Sequence, residues 1–485
     1  MQKIKNYING ELIAPISDRY LDNYEPATGQ VYSLIPQSDS SDLELAVKAA
    51  ESAKHAWANV PNEQRSILLM KLADAIESAS DELAKAEAID NGKPIAFAKA
   101  VDSYRSAANI RFFANAATQF SSECHDMGSV GVNYTLRQPI GIVGCISPWN
   151  LPLYLFTWKI APALASGNCV IAKPSEVTPM TAYIFSRLCI EVGMPRGVVN
   201  ILHGSGPSIG APLVAHEKVK AISFTGGSAT GRAIASTIAP MLKKFSLELG
   251  GKNPTLVFAD SCGSEEDLKQ TVSEVVRAAF SNQGQICLCG SRIYIERAIY
   301  DKFKNSFVAK VEELAIGDPL DETTQHGALV SKSHFDKVYS YIKLAKQEGG
   351  TIVTGGNKVN LEGRCAGGYF IEPTVIEGLS SDCRVNQEEI FGPVCTIQPF
   401  DTEDEVLAKA NGTEYGLATS IWSKDISRCH RLSSQLDFGI IWINTWLLRD
   451  LRTPFGGMKS SGMGREGGLE AMRFFTEPKN VCIKY

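Results

Sequence analysis

Short apolar runs alternate with helix-length amphipathic segments along most of this chain, and that alternation predicts its architecture. From about residue 140, Gly141-Ile-Val-Gly-Cys-Ile146 is an apolar run, followed by a helical segment reaching Leu164. Residues 169–172, 198–202 and 221–224 repeat the apolar pattern, with helical material such as 178–192 between them. Runs apolar on both faces and separated by helices predict parallel strands covered on each side by helices. Ligands of such sheets sit beyond the carboxyl ends of the strands. A second alternating region begins after Gly251, with strands expected at 255–258 and 292–295, a helix near 265–280, and further alternation to about Ile443. Before the first sheet, residues 41–120 read as helices with an Ala-rich apolar stripe, broken at Asn91-Gly92-Lys93-Pro94. Two strand patterns, 130–136 and 480–485, lie outside both alternations.

The length of 485 residues suits two or three domains. A formal net charge of −5 supplies no basic field for nucleic acid or anionic lipid. The twelve cysteines are dispersed, Cys287-Leu-Cys289 has the wrong spacing for a zinc knuckle, and the seven histidines form no ligating pair, so no metal is expected. The start lacks the apolar segment of a signal peptide, and the most apolar stretch, 149–165, is broken by Asn150, prolines and Lys159. A reducing cytoplasm is the expected location, with no membrane partner.

Chemistry enters with Phe280-Ser-Asn-Gln-Gly-Gln-Ile-Cys287-Leu-Cys289, which sets a thiol behind a small, glycine-broken turn where a substrate can approach. A buried structural cysteine is the bland alternative. Gly462-Met-Gly464-Arg-Glu-Gly467 fits G-x-G-x-x-G literally, but no strand is expected before it and the chain ends too soon for a βαβ unit. A different nucleotide signal is Phe224-Thr-Gly226-Gly227-Ser-Ala-Thr-Gly231, an apolar run opening into a helix whose first amides can meet a pyrophosphate. Lys173-Pro-Ser-Glu176 closes the run at 169–172, where a cation and a carboxylate suit ribose hydroxyls. In Leu247-Glu248-Leu249-Gly250-Gly251-Lys252, Glu248 projects opposite Phe245, Leu247 and Leu249, before two glycines that are read as a tight turn. Pro148-Trp149-Asn150 follows the first run and offers a side-chain amide at a strand's end.

Together with Glu388-Glu389-Ile-Phe391-Gly-Pro393 and Pro454-Phe455-Gly-Gly457, these motifs resemble, in their order, those of the NAD(P)-dependent aldehyde dehydrogenase superfamily. The resemblance covers nearly the whole chain. It implies an α/β fold with a Rossmann-type NAD-binding domain (1–120 and 141–250), an α/β catalytic domain (251–445) and a small β element (121–140 and 465–485). That element would join subunits into a homodimer or homotetramer. It also implies roles: Cys287 as nucleophile, Glu248 as general base, and Asn150 with the Cys287 N–H as oxyanion hole. NAD would be bound by Ser147, Trp149, Lys173, Glu176, Gly210, Phe224, Thr225, Gly226, Gly227, Glu389 and Phe391. Gly227 stands where many members carry serine, so phosphate contacts there would come from backbone. Glu176 would repel a 2′-phosphate, favouring NAD over NADP.

Substrate choice is carried by two arginines. Arg105 falls on the line of an apolar helical stripe made by Val101, Ala108 and Phe112, where a charge needs a reason. Arg449 lies in Asn444-Thr-Trp446-Leu-Leu-Arg449-Asp-Leu-Arg452-Thr-Pro454, where the superfamily's substrate loop commonly has aromatics, and Phe455 follows it. Two guanidiniums at a tunnel mouth suit a carboxylate. The combination is similar to the 2-aminomuconate and 2-hydroxymuconate semialdehyde dehydrogenases, and implies an aldehyde bearing a distal acid. The alternatives are surface ion pairs for both arginines, a broad-specificity or betaine-type aldehyde dehydrogenase, a non-redox thioesterase, or a non-catalytic member of the family.

Overall fold

The computed structural model describes all residues, 1–485. Three helices, Ser40–Ala58, Asn62–Ser78 and Ser80–Asn91, open the helical layer, and Gly92 ends the third in a left-handed cap at φ 83°. After Pro94 the chain is helical again to Gln119, but through a π-turn over Ala98–Ser103. One residue inserted in this way turns every later side chain by about 100° around the axis. Beyond the π-turn, Arg105 sits one turn before Asn109, whose amide donates to the Tyr154 carbonyl (3.0 Å) and to Thr157 Oγ1 (3.1 Å) of the helix Pro152–Ala165.

The first sheet has eight strands in the order Gly462–Met463, Lys244–Glu248, Ala221–Thr225, Ile142–Ile146, Cys169–Lys173, Val199–Ile201, Asn6–Ile8, Glu11–Ile13. Its five central strands are parallel and its edges antiparallel. All five parallel strands end on the same side. That side carries Ser147–Asn150, Glu176, Gly226–Gly227, Glu248 and the segment from His203 to Gly210. The apolar runs became strands because both faces are covered: Ile142–Ile146 and Cys169–Lys173 are buried at every position.

The second sheet has seven strands, Thr351–Thr354, Thr374–Glu377, Val394–Phe400, Gly290–Glu296, Asn253–Val257, Ala418–Trp422 and Ile440–Ile443, parallel except the first. Here the candidate residues mostly precede their strands. Cys287 lies before Gly290, Glu389 and Phe391 before Val394, and Gly251 before Asn253. The expectation of ligands at carboxyl ends thus describes the first sheet but not this one. The two isolated strand patterns pair with each other: Thr476–Lys484 runs antiparallel to Gly131–Pro139 over nine residues, with Cys124–Asp126 outside it. No helix is long and apolar enough to cross a membrane.

The glycine-rich segment at 462–467 differs from expectation in one respect. A two-residue strand, Met458–Lys459, does precede it, but no strand parallel to it follows the helix Gly468–Phe474. Its Gly462 instead lies against the strand of Glu248, where a Cβ would fall 2.3 Å from the Leu247 carbonyl.

Candidate active site

A cavity of about 250 Å³ is walled by both sheets' loops: Pro148, Trp149 and Asn150, Thr225–Gly227, Leu249 and Gly250, Cys287, and Glu389 with Phe391. Cys287 arrives there because the chain between the helix Glu265–Phe280 and the strand Gly290–Glu296 is forced through left-handed backbone at Asn282, Gln283 and Gly284. Gly284 allows this turn to press on the neighbouring loop, since a Cβ would sit 2.2 Å from the Gly392 carbonyl. Amides lock the loop: Asn282 Nδ2 donates to the Asn150 carbonyl (2.9 Å), and Asn253 Nδ2 to the carbonyls of Cys287 (2.6 Å) and Cys289 (3.0 Å). Cys289 is buried apart from this cavity, against a void of about 20 Å³, with its Sγ toward the Ser281 carbonyl.

Asn150 Nδ2 donates one hydrogen to the Gln285 carbonyl (2.9 Å), which fixes the amide and leaves its second hydrogen uncommitted. The Cys287 N–H makes no backbone hydrogen bond. Two fixed neutral donors beside one thiol can receive an oxyanion forming on a carbon bonded to that sulfur. Burial pushes the Cys287 thiol well above its usual value; the Glu389 and Glu248 carboxyls push the same way, and Arg449 opposes them. A thiol so placed needs a base to become nucleophilic.

Glu248, at the end of its strand, is buried with neither carboxylate oxygen hydrogen-bonded. Burial, and then the Glu466 carboxylate, hold its carboxyl well above the usual range, against Lys159, Arg465 and Arg449. Behind it is a cluster that sequence reasoning missed. Lys159 Nζ donates to Glu466 Oε1 (2.7 Å) and Ser223 Oγ (3.1 Å), and Ser223 Oγ donates to the same Glu466 oxygen (3.0 Å). A signal existed: Lys159 is a lone cation in a helix whose fourteen residues are all buried, which needs a charge partner. The two glycines after Glu248 are not there to turn the chain, since neither has positive φ. Gly250 makes room for Glu389, whose carboxylate oxygen would lie 2.3 Å from a Cβ, and Gly251 N–H donates to Glu389 Oε1 at 2.8 Å.

The cofactor candidates fall into three groups. Lys173 and Glu176 pair at 2.6 Å; burial works against the Glu176 charge, but Lys173 overcomes it and the carboxyl lies below its usual value. Gly210 faces the Lys173 stem, and Ser147 Oγ is buried without a partner. Next come Phe224 and Thr225, whose Oγ1 is also unpartnered, and then Gly227, the N-cap of the helix Ser228–Ile238. The third group is Glu389 and Phe391, with Trp149 packed edge-on at 5.2 Å from the Phe391 ring. His334 and Lys337, one turn apart on the helix Lys332–Gln347, also line the cavity and were not anticipated. Unpartnered hydroxyls, bare helix-start amides and a strand-end Lys–Glu pair fit a dinucleotide's phosphates and riboses.

The two arginines differ. Arg449 does not pair with Asp450, which is taken by Arg452. Its guanidinium lies 4.1 Å from the Trp158 ring and 4.1 Å from the Phe455 ring, Nη1 donates to the Tyr154 hydroxyl, and Nη2 is buried without a partner. Arg105 is half-buried on the adjoining helix. Arg111, by contrast, is spent on Asp74 (2.6 Å) and Glu77 (2.5 Å).

Fold and site together define an α/β enzyme that brings the Cys287 thiol, the Asn150 amide and the Glu389 carboxyl to one cavity of about 250 Å³, with Glu248 buried at the end of a neighbouring strand. Residues 13–481 match the profile described as the aldehyde dehydrogenase family. A 2-aminomuconic semialdehyde dehydrogenase of Danio rerio is 48% identical over 99% of this chain and 98% of that protein. A 2-hydroxymuconic semialdehyde dehydrogenase of Pseudomonas sp. (strain CF600) is 44% identical, covering 100% of each chain. Among solved structures, the NAD+ complex of an aldehyde dehydrogenase from Bacillus cereus superposes with a TM-score of 0.96 at 38% identity, covering 100% of this chain and 97% of that one. The chain belongs to the aldehyde dehydrogenase family. It is an NAD-dependent oxidoreductase acting on aldehydes.

Proposed function

We propose that this enzyme oxidises an aldehyde carrying a distal carboxylate, of the 2-aminomuconic or 2-hydroxymuconic semialdehyde type, to the dicarboxylic acid. The observation that carries the substrate is Arg449, a half-buried guanidinium between two aromatic walls with one nitrogen buried and unpartnered. A free edge of that kind suits a carboxylate. The names of the relatives at 48% and 44% identity support the same class.

In this reading Cys287 gives its thiol proton to water in the cleft, and the thiolate sulfur attacks the aldehyde carbon while the carbonyl oxygen takes the electron pair as an oxyanion between Asn150 Nδ2 and the Cys287 N–H. Bound NAD supplies the acceptor for the hydride that leaves the same carbon. The carbon stays bonded to sulfur as a thioester. Glu248 then takes a proton from water, whose oxygen attacks the thioester; the carbon–sulfur bond breaks and Cys287 departs as thiolate. Lys173 and Glu176 hold the adenosine ribose, with Glu176 disfavouring a 2′-phosphate. The helix start after Gly226–Gly227 would take the pyrophosphate through the amides that follow Gly226, whose own N–H donates to the Glu248 carbonyl at 3.0 Å, while Glu389 and Phe391 would take the nicotinamide end. Asn150→Ala is expected to lower kcat by about 10²–10³-fold, the usual effect of losing one oxyanion donor, in steady-state assays of NADH formation.

The substrate assignment is tested with Arg449→Ala and Arg105→Ala. Each should raise KM for 2-hydroxymuconic semialdehyde by about 10–100-fold, as loss of a hydrogen-bonded charge pair does. The change for hexanal, a neutral aldehyde, should be much smaller. Equal losses on both substrates would refute carboxylate recognition.

The domain boundaries at 120, 140, 250 and 445 belong to the same proposal. So does a homodimer or homotetramer, supported by the exposed Leu136 and Ile483 on the small antiparallel sheet and Val130 just before it. A cytoplasmic location is supported by twelve cysteines that are all unpaired.

A further inference from the structure

Tyr154 is the one polar contact of the Arg449 guanidinium. It stands on the fully buried helix Pro152–Ala165, where its own carbonyl is fixed by Asn109 Nδ2 (3.0 Å) and by Thr157 Oγ1 (3.0 Å). Arg449 donates to the Tyr154 oxygen, so the phenolic proton is not used in that bond and has no acceptor elsewhere in the protein. The Nη2 of Arg449 is equally unspent. Two donors, one cationic and one neutral, are thus tied into a single unit, while Trp158 and Phe455 keep the guanidinium from swinging away. Accepting a bond from a cation polarises the hydroxyl and strengthens it as a donor.

We propose that Tyr154 is a specificity-determining residue: it orients Arg449 and donates a hydrogen bond from its own hydroxyl to the substrate's distal carboxylate, so that an Arg–Tyr pair forms the acid-binding subsite. This rests on the carboxylate reading above and extends it to a residue that has no charge. A carboxylate has two oxygens with several acceptor positions, and one can face Nη2 while the other faces the phenol. A neutral aldehyde has nothing to offer this pair. Binding it would leave the phenol and the already buried Nη2 without an acceptor that a carboxylate would supply, which favours the acid over the neutral aldehyde.

The test is a double-mutant cycle with Y154F and R449A, reading the ratio of kcat/KM for 2-hydroxymuconic semialdehyde to that for hexanal. Phenylalanine keeps the ring and its packing and removes only the hydroxyl. Y154F should lower the ratio about tenfold, the loss of one hydrogen bond to a charged group. In the R449A background the same substitution should lower it less than about threefold, because residues acting as one unit do not add. If R449A lowers the ratio and Y154F leaves it unchanged, or if the two effects multiply fully, the Arg–Tyr pair is overturned while the carboxylate reading stands. If neither variant changes the ratio, the carboxylate reading itself fails, and the pair with it.

Discussion

Cys287→Ala abolishes aldehyde-dependent NADH formation in this account, leaving a rate lower by at least about 10⁴-fold, as is usual when a covalent nucleophile is removed. Alanine keeps the turn at 282–284 and the amide contacts around it, so the loss comes from the sulfur and not from the loop. Cys289→Ala is the matched control. Its sulfur is buried toward the Ser281 carbonyl, outside the main cavity, and burial pushes its thiol up to about 12. Removing it should cost on the order of 1–2 kcal/mol of stability as a small cavity, and most of the activity should survive. The assay is absorbance of NADH for the two variants side by side. Full activity in C287A, or loss in C289A with a normal melting curve, would move the nucleophile.

Glu248→Gln is the second large effect. Gln cannot accept a proton from water, so turnover should fall by about 10²–10⁴-fold, the range for a general base. The first step should survive, because the hydride leaves before water is needed. E248Q should therefore give a rapid burst of NADH equal to the enzyme present, followed by almost no further product. The pH dependence has a definite sign. Burial and Glu466 raise the Glu248 carboxyl above the ordinary range, so its basic form appears only as pH rises through a value higher than for a solvated glutamate. Hydrolysis in the wild type should climb with pH through that window, and E248Q should lack that limb. A burst-free E248Q with normal turnover would remove Glu248 from the mechanism.

Much of this was legible in the chain before any fold was seen. Buried parallel strands announce themselves because both faces must be apolar, and 142–146, 169–173 and 221–225 did so. The helix at Glu265–Phe280 was also legible, since its Ser264 cap and acidic first turn precede a clear apolar stripe. Motif order brought Cys287, Asn150, Glu389 and Phe391 to one cavity. What stayed hidden was contact between distant segments. Tyr154, Trp158, Arg449 and Phe455 meet around one guanidinium, yet nothing local at Tyr154 distinguishes it from a core aromatic. His334 and Lys337 reach the cavity only because their helix crosses it. Gly250 looked like a turn residue and is instead a gap cut for the Glu389 carboxylate, 139 positions later. The short strands before residue 36 gave little periodicity over two to seven residues and went unread.

The central claim is that one sulfur carries the substrate as an acyl group between oxidation and hydrolysis. The direct measurement is to mix E248Q with NAD and 2-hydroxymuconic semialdehyde, quench in acid after the burst, digest, and weigh the peptides. The account predicts that the peptide containing Cys287 gains the mass of the aldehyde less two hydrogens, in proportion to the NADH formed, and that the mark is lost in C287A. NADH formed with Cys287 unmodified, or an adduct found on Cys289, would contradict it.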